Sequence, residues 1–171
     1  MRKYPSRIFA AVAAAGLMAS LSACQVKPGE YRIYKITALP EQQGADCGAN
    51  PDPRDTTTFF GAETIALFAT DPDDYFLEFK EWVVIGERSG TDYTFHGETV
   101  AVDDPGDATV TDRITLDVAI SIKGYKITGD YVSFTSKQCQ GDCDAHPAFQ
   151  CTVTGSFFGA EIKDVELERG V

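Results

Sequence analysis

Asp112-Arg113-Ile114-Thr115-Leu116-Asp117-Val118-Ala119-Ile120-Ser121-Ile122 is the most informative stretch of the sequence, because apolar and polar or small side chains alternate throughout it. Every even-numbered position from Ile114 to Ile122 is aliphatic. A β-strand projects successive side chains to opposite faces, so this period of two predicts a strand with one buried face.

On both sides of this strand, turn signals and apolar runs divide the remaining sequence into further strands. Lys123-Gly124 and Asp104-Pro105-Gly106-Asp107 are typical of tight turns on either side. Eight strands are predicted, at 29–39, 56–70, 75–87, 92–102, 112–122, 125–136, 149–157 and 161–168. Short connections require antiparallel neighbours. We therefore expect an all-β, antiparallel up-and-down barrel, with a two-sheet sandwich as the alternative.

Two segments of this prediction have alternatives. Ala62–Thr70 is rich in helix-forming residues and could form two turns of helix, which would open the barrel. Residues 161–168 are similarly ambiguous. The expected architecture resembles that of lipocalin-like barrels, whose interior can hold one small ligand. The nearest stretch to the lipocalin Gly-x-Trp motif is Gly29-Glu30-Tyr31, which lacks the tryptophan.

The N-terminus is typical of a secretory signal peptide. A basic segment with Arg2, Lys3 and Arg7 precedes an Ala-rich apolar run from Phe9 to Leu21. That run is too short for a permanent membrane span, which needs about 20 residues. We therefore expect a leader over residues 1–23.

Leu21-Ser22-Ala23-Cys24, at the end of this leader, resembles the lipobox of bacterial lipoproteins. The resemblance covers residues 1–24 only. It implies diacylglyceryl transfer to the Cys24 thiol, cleavage before Cys24 and acylation of the new amino group, which together give a stable membrane anchor. Gln25, in place of an aspartate, implies the outer membrane of a Gram-negative cell. The predicted organisation is a leader at 1–23, a lipidated tether at 24–28 and a single domain at 29–171.

The composition narrows the possible functions. The 171-residue chain carries 15 basic and 26 acidic residues. Removal of the leader, which has three basic residues and no acidic one, leaves a net charge of −14. A body this acidic repels phosphates, so we expect no nucleic-acid partner. Its charge also promotes solubility, irrespective of any partner.

Four further cysteines, Cys47, Cys139, Cys143 and Cys151, are expected to form two disulfides in an oxidising compartment. A zinc site that includes His146 is the alternative. We favour Cys139–Cys151 at the mouth of a hairpin, which pairs Cys47 with Cys143. The eight-strand order conflicts with a Cys47–Cys143 bridge, because it places loop 40–55 and loop 137–148 at opposite ends of the barrel. Pairing Cys139 with Cys143 leaves Cys47 to reach Cys151, so every pairing joins Cys47 to the 139–151 region.

No catalytic constellation is predicted. The sequence has only two histidines, His96 and His146, and His96 is expected to pack or to face solvent within a strand. It contains no Gly-x-Ser-x-Gly, His-Glu-x-x-His or phosphate-loop motif. We expect no enzymatic activity, no cofactor and no resident metal.

An acidic rim is the remaining candidate site. In the predicted strand order, loops 71–74, 103–107 and 137–148 share one end with the tether. The rim consists of Asp71, Asp73, Asp74, Asp103, Asp104, Asp107, Asp142 and Asp144. Carboxylates could bind divalent cations there, although aspartate is common in turns regardless of function.

Two functions remain open. The first is a structural or partner-binding module of the envelope, with loop 40–55 as its candidate surface. The second is a barrel that binds a small apolar or amphipathic ligand, for which 11 Phe, 7 Tyr and 1 Trp could line the interior. A filled interior favours the partner-binding module and a hollow interior favours the ligand binder.

Overall fold

The strands form one antiparallel sheet that closes on itself. The computed structural model describes residues 26–48, 61 and 63–163. Its elements are β1 Tyr31–Ala38, β2 Gln42–Gln43, a 3-10 helix Ala45–Cys47, β3 Thr64–Ala69, β4 Tyr75–Phe79, β5 Trp82–Ser89, β6 Asp92–Asp103, β7 Ala108–Lys123, β8 Lys126–Gly141 and β9 Phe149–Glu161.

Each long strand pairs with the next one along the chain, and β1 pairs with β9 from Tyr34↔Glu161 to Ala38↔Phe157. This closure produces the expected up-and-down barrel of eight strands, and β2 is an additional short strand beside β9. The all-β prediction is confirmed. No helix of the described residues is long and apolar enough to cross a membrane.

The alternating stretch 112–122 lies in β7. Leu116, Val118, Ile120 and Ile122 are fully or almost fully buried in the barrel interior, as the alternation predicts. Ile114, on the same face, is only partly buried and packs against the edge of this core. The reason is that β7 continues beyond the barrel at that point.

The barrel interior is filled by side chains. Aromatic residues from several strands, including Tyr34, Phe79, Tyr93 and Phe95, are buried there together with the aliphatic residues. Such a core is stabilised by the removal of large apolar areas from water.

Two glycines make room for aromatic rings from neighbouring strands. Gly155 lies against the ring of Tyr131, and Gly129 lies against the ring of Phe157, so that a Cβ at either glycine would overlap the ring. Because each glycine stands on a strand next to the aromatic residue, the rings lie flat across the backbone and fill the interior.

Two turns differ from the prediction, and β7 and β8 are longer than predicted, beginning at Ala108 and ending at Gly141 respectively. Residues 75–87 are two strands, because Lys80 and Glu81 form a turn in which Lys80 has φ 49°. A positive φ is uncommon for lysine. The turn contains neither glycine nor asparagine, the residues that usually indicate this conformation, so the sequence does not reveal it. The predicted turn at Phe158-Gly159 is wrong, because β9 continues to Glu161. The predicted strand within Ala62–Thr70 is confirmed as β3.

We call the end where β1 begins the base and the opposite end the top. The extra turn at 80–81 reverses the predicted placement of the later loops. Loops 70–74, 90–91 and 124–125 lie at the base, whereas turns 80–81 and 104–107 and loop 142–148 lie at the top. The predicted acidic rim is therefore wrong as a single cluster. Asp71, Asp73 and Asp74 lie at the base, and the other five aspartates lie at the top.

The segment before β1 packs into the base. Val26 is fully buried within the core cluster, and Pro28 forms a bridge with Ala69. The Gly29 N–H donates to the Ala69 carbonyl at 2.9 Å. Residues 26–28, expected to belong to a tether, are thus held against the barrel.

Candidate interaction surface

Four strands continue past the top of the barrel as a sheet that we call the extension. It consists of residues 98–103 of β6, 108–115 of β7, 134–141 of β8 and 149–152 of β9, in unbroken register. At about 3.4 Å per residue, its longest strands reach about 27 Å beyond the barrel. The extension has two edges, one on β9 and one on β6.

The edge on β9 is covered. Gln42↔Thr154 and Gln43↔Val153 pair β2 with β9, and the Gly44 N–H donates to the Thr152 carbonyl at 2.7 Å. Two side-chain bonds hold the covering segment in place. The Thr152 hydroxyl donates to the Asp46 carboxylate at 2.7 Å, and the Tyr131 hydroxyl donates to the Glu41 carboxylate.

The pKa values of Asp46 and Tyr131, one group from each bond, are shifted in opposite directions. The hydrogen bond from Thr152 lowers the pKa of the Asp46 carboxyl. Burial, followed by the adjacent Glu41 carboxylate, raises the pKa of the Tyr131 hydroxyl. Both shifts favour the charge states that keep these hydrogen bonds at neutral pH.

A disulfide closes the same edge. Cys47, in the 3-10 helix, is bonded to Cys151 of β9, with 4.1 Å between their Cα atoms. The two cysteines are buried with Val153, and Phe149 packs against them. The link between Cys47 and the 139–151 region is confirmed. The described part of loop 40–55 and loop 142–148, expected at opposite ends of the barrel, both lie at the top.

The preferred disulfide pairing is wrong. Cys139 is bonded to Cys143, with 5.9 Å between their Cα atoms, rather than to Cys151. In the β8–β9 register Cys151 lies opposite Thr135, four residues from Cys139. Four strand residues span about 13 Å, which is well beyond the roughly 6.8 Å at the upper end of the usual separation between disulfide-bonded Cα atoms. The zinc alternative is not supported, since both pairs consume the thiolates that it needs.

The edge on β6 is open. The β5–β6 ladder ends at the pair Ile85↔His96, so residues 98–103 have β7 on one side and, among the residues that the structure describes, no strand on the other. All six residues are exposed. Proteins usually cover, twist or shorten such an edge, because its unpaired backbone groups accept another strand.

The backbone alternation specifies which groups point outward. The Ile122 N–H donates to the Thr91 carbonyl, in the same register as the β6–β7 ladder. Bonded pairs in an antiparallel ladder recur every second residue. Odd-numbered residues of β6 therefore bond to β7, whereas Glu98, Val100 and Val102 present their N–H and C=O groups to the open side.

The side chains along this edge are apolar in the middle and acidic at the ends. Val100 is 48% exposed and Val102 is 65% exposed, both on the outer face of the sheet. Glu98, on the same face, forms an ion pair with Arg113 at 3.4 Å. Asp103 ends the strand. Exposed valines beside unpaired backbone groups are the features of a strand-accepting edge.

A groove of about 870 Å³ lies nearby on the outer wall of the barrel, formed by β5, β6, β7, residues 72–74 of loop 70–74 and Tyr75 of β4. Ile85, Glu87 and Arg88 line one side of it. His96 Nδ1 and Asp117 Oδ1, 2.7 Å apart, line the other side, and both side chains are mostly exposed. His96 thus faces solvent, which is one of the two arrangements, packed or solvent-facing, that are expected from the sequence. A surface pair of this kind contributes little to stability.

The other predicted residues are distributed as follows. Cys24, Gln25 and the leader lie outside the described residues, as does 49–55 of loop 40–55. The described part of that loop lies along β9 and forms its cover. Within the described part of the chain, no three His, Cys, Asp or Glu side chains are grouped as metal ligands would be.

Sequence reasoning predicts β6 as a strand but not as an edge. The edge follows from the observed strand lengths, 12 residues in β6 and 8 in β5, which leave one side of β6 partly unpaired among the described strands. The predicted segments 75–87 and 92–102 carry no such signal, because the turn at 80–81 is not predicted from the sequence. No protein-family model matches the chain, and no curated protein is significantly similar to it.

Proposed function

We propose that this protein is a partner-binding module, and that it binds an extended segment of another protein as an added strand on residues 98–103 of β6. The observation that carries the proposal is the asymmetry of the extension. One edge is covered by the segment 42–47, which bonds to Thr152 and is fixed to Cys151 by a disulfide. Along the other edge, within the part of the chain that the structure describes, no strand pairs with the outward backbone groups of Glu98, Val100 and Val102. Strand addition to such an edge is a common mode of peptide recognition.

The filled interior supports the same choice. A barrel that encloses a small apolar ligand needs space that Tyr34, Phe79, Tyr93 and Phe95 occupy here. Partner binding through the outer surface needs no such space. The proposal assigns the barrel a supporting role, in which its core holds β6 rigid, and it involves no catalytic step or cofactor.

The proposed setting is the cell envelope, with a lipid on Cys24 as the anchor and the outer membrane as the location. The support is the Leu21-Ser22-Ala23-Cys24 sequence and the two disulfides, which form in oxidising compartments. Mass spectrometry of the mature N-terminus tests it. A diacylglyceryl-modified Cys24 is expected, and cleavage at another residue or an unmodified Cys24 would contradict the anchor.

The edge is tested with a proline that removes one outward N–H. Val100→Pro removes a donor that faces the open side, so the β7 ladder stays intact and the fold is retained. Thr99→Pro is the matched control for damage to the ladder. The Thr99 N–H faces β7, so replacing this residue with proline removes a ladder hydrogen bond and destabilises the extension.

The assay is selection from a displayed library of random ten-residue peptides. The wild type should enrich peptides whose binding perturbs the amide NMR signals of 98–103, and Val100→Pro should reduce their affinity at least ten-fold. Peptides that bind Val100→Pro as well as the wild type, or that perturb only the groove at Ile85 and His96, would refute strand addition.

A further inference from the structure

We infer that the strand accepted by β6 is a linear, basic segment in which lysine or arginine alternates with an apolar residue. This inference rests on the proposed function and specifies the partner's chemistry. It follows from the side chains on the two faces of the open edge, taken together with the direction of its backbone groups.

The outer face favours apolar partners in the middle of the segment. An antiparallel strand that bonds to Glu98, Val100 and Val102 places its own bonded residues directly opposite them, on the same face. Apolar residues opposite Val100 and Val102 would cover the two exposed valines. A basic residue opposite Glu98 would extend the Glu98–Arg113 ion pair into a three-charge group.

The other face favours basic partners. Asp103 is exposed at the end of β6, and Asp112 of β7 lies opposite Ala101 in the ladder. Lysine or arginine side chains opposite Asp103 and Ala101 are long enough to reach these two carboxylates. Asp104 and Asp107, in the adjoining turn, add negative potential at the same end.

Together the two faces define a pattern. Read from the residue opposite Asp103 to the one opposite Glu98, it is basic, apolar, basic, apolar, polar, basic, as in Lys-Val-Lys-Val-Thr-Lys. The basic and apolar positions cannot be exchanged in an antiparallel partner strand. The partner residues that form backbone bonds with Glu98, Val100 and Val102 always have their side chains on the outer face, beside the two valines.

A second copy of this chain fits the edge less well. Antiparallel pairing of two β6 edges around Val100 would place Asp103 of each copy opposite Gly97 of the other, so that the acidic strand ends of both copies crowd the same edge. It would also direct the 104–107 turn of each copy toward Ile85, because β5 occupies the edge from the pair Ile85↔His96 onward. A linear segment avoids both conflicts, since it ends or turns away after Glu98.

The experiment titrates the full mature protein with acetyl-Lys-Val-Lys-Val-Thr-Lys-amide and follows the amide NMR signals of 98–103. Control peptides are a scramble with the same composition, Lys-Lys-Lys-Val-Val-Thr, and the charge variants Gln-Val-Gln-Val-Thr-Gln and Glu-Val-Glu-Val-Thr-Glu. Asp103→Lys changes the local charge, and Asp71→Lys at the base makes the same change in net charge far from the edge.

We expect the basic peptide to perturb 98–103 and to bind more tightly than the neutral and acidic peptides, by about two-fold to five-fold for each charge. The scramble should bind more weakly than the alternating peptide. Asp103→Lys should reduce this preference and Asp71→Lys should not. Added salt should weaken the basic peptide more than the neutral one.

Three outcomes overturn the inference. Equal binding of the three charge variants at the edge, still lost in Val100→Pro, would overturn the basic partner and leave strand addition standing. Binding of no peptide at 98–103 would overturn both proposals. A wild-type dimer in sedimentation that Val100→Pro dissociates would identify a second copy as the occupant.

Discussion

Removal of the Cys47–Cys151 disulfide should destabilise the protein far more than removal of Cys139–Cys143. The two bridges join residues 104 and 4 positions apart. In the chain-entropy account, closing a loop of about 100 residues restricts the unfolded chain by about 4.7 kcal/mol, and the same relation gives about 2 kcal/mol for the short loop. The expected difference is therefore about 2.7 kcal/mol.

The perturbations are two double variants, Cys47→Ala/Cys151→Ala and Cys139→Ala/Cys143→Ala. Urea denaturation followed by the fluorescence of Trp82, the single tryptophan, reports the free energy of unfolding. At about 3 °C per kcal/mol for a domain of this size, the melting temperature should fall by about 14 °C in the first variant and about 6 °C in the second.

A local measurement separates the two effects further. Loss of Cys47–Cys151 also frees the segment 42–47, so the amide of Gly44, which bonds to Thr152, should exchange with solvent faster. The second variant should leave that amide unchanged. Equal destabilisation by the two variants, or a larger loss from the short bridge, would refute the reasoning from loop length.

Three further predictions follow from the core. Leu116→Ala, at a fully buried position, should lower the free energy of unfolding by about 2–5 kcal/mol in urea denaturation, whereas Val83→Ala, at an exposed one, should change it by less than about 0.5 kcal/mol. Gly155→Ala should also destabilise the fold, because its Cβ would overlap the ring of Tyr131; a melting temperature equal to that of the wild type would contradict this. Burial raises the pKa of Tyr34 to about 12 from 10.0, so the unfolded chain loses this proton first and stability should fall as pH rises from about 10 to about 12; a Tyr34→Phe variant with the same pH dependence would show that other groups cause it.

The barrel class was predictable because the decisive information is local. The alternation from Ile114 to Ile122 depends only on the period of a strand, and the glycine-containing turns mark where strands end. The turn at Lys80-Glu81 was not predictable, since neither residue favours a positive φ. That single turn changes which loops share an end, and it accounts for the misplaced acidic rim.

The disulfide pairing failed for a related reason. The sequence places Cys139 just after one predicted strand and Cys151 early in the next, but it does not give the register that separates them by four residues. The open edge is a property of register as well. It exists because β5 pairs with β6 only from Ile85 to Ser89, which leaves the part of β6 beyond His96 without β5 as a neighbour. Nothing in the composition of Glu98–Asp103 distinguishes an edge strand from an interior strand.

The burial of Val26 has a mechanical consequence for a lipid-anchored molecule. With the lipid on Cys24, only Gln25 would separate the acylated residue from Val26, which is buried in the core. The short connection would restrict the motion of the barrel relative to the bilayer and keep the base close to the membrane surface. The 16 residues of β7 would raise the tip at 104–107 by up to about 50 Å, less the tilt of the strands. The open edge would then be held at a fixed height above the lipid headgroups, where a partner fixed in the same layer meets it by lateral diffusion.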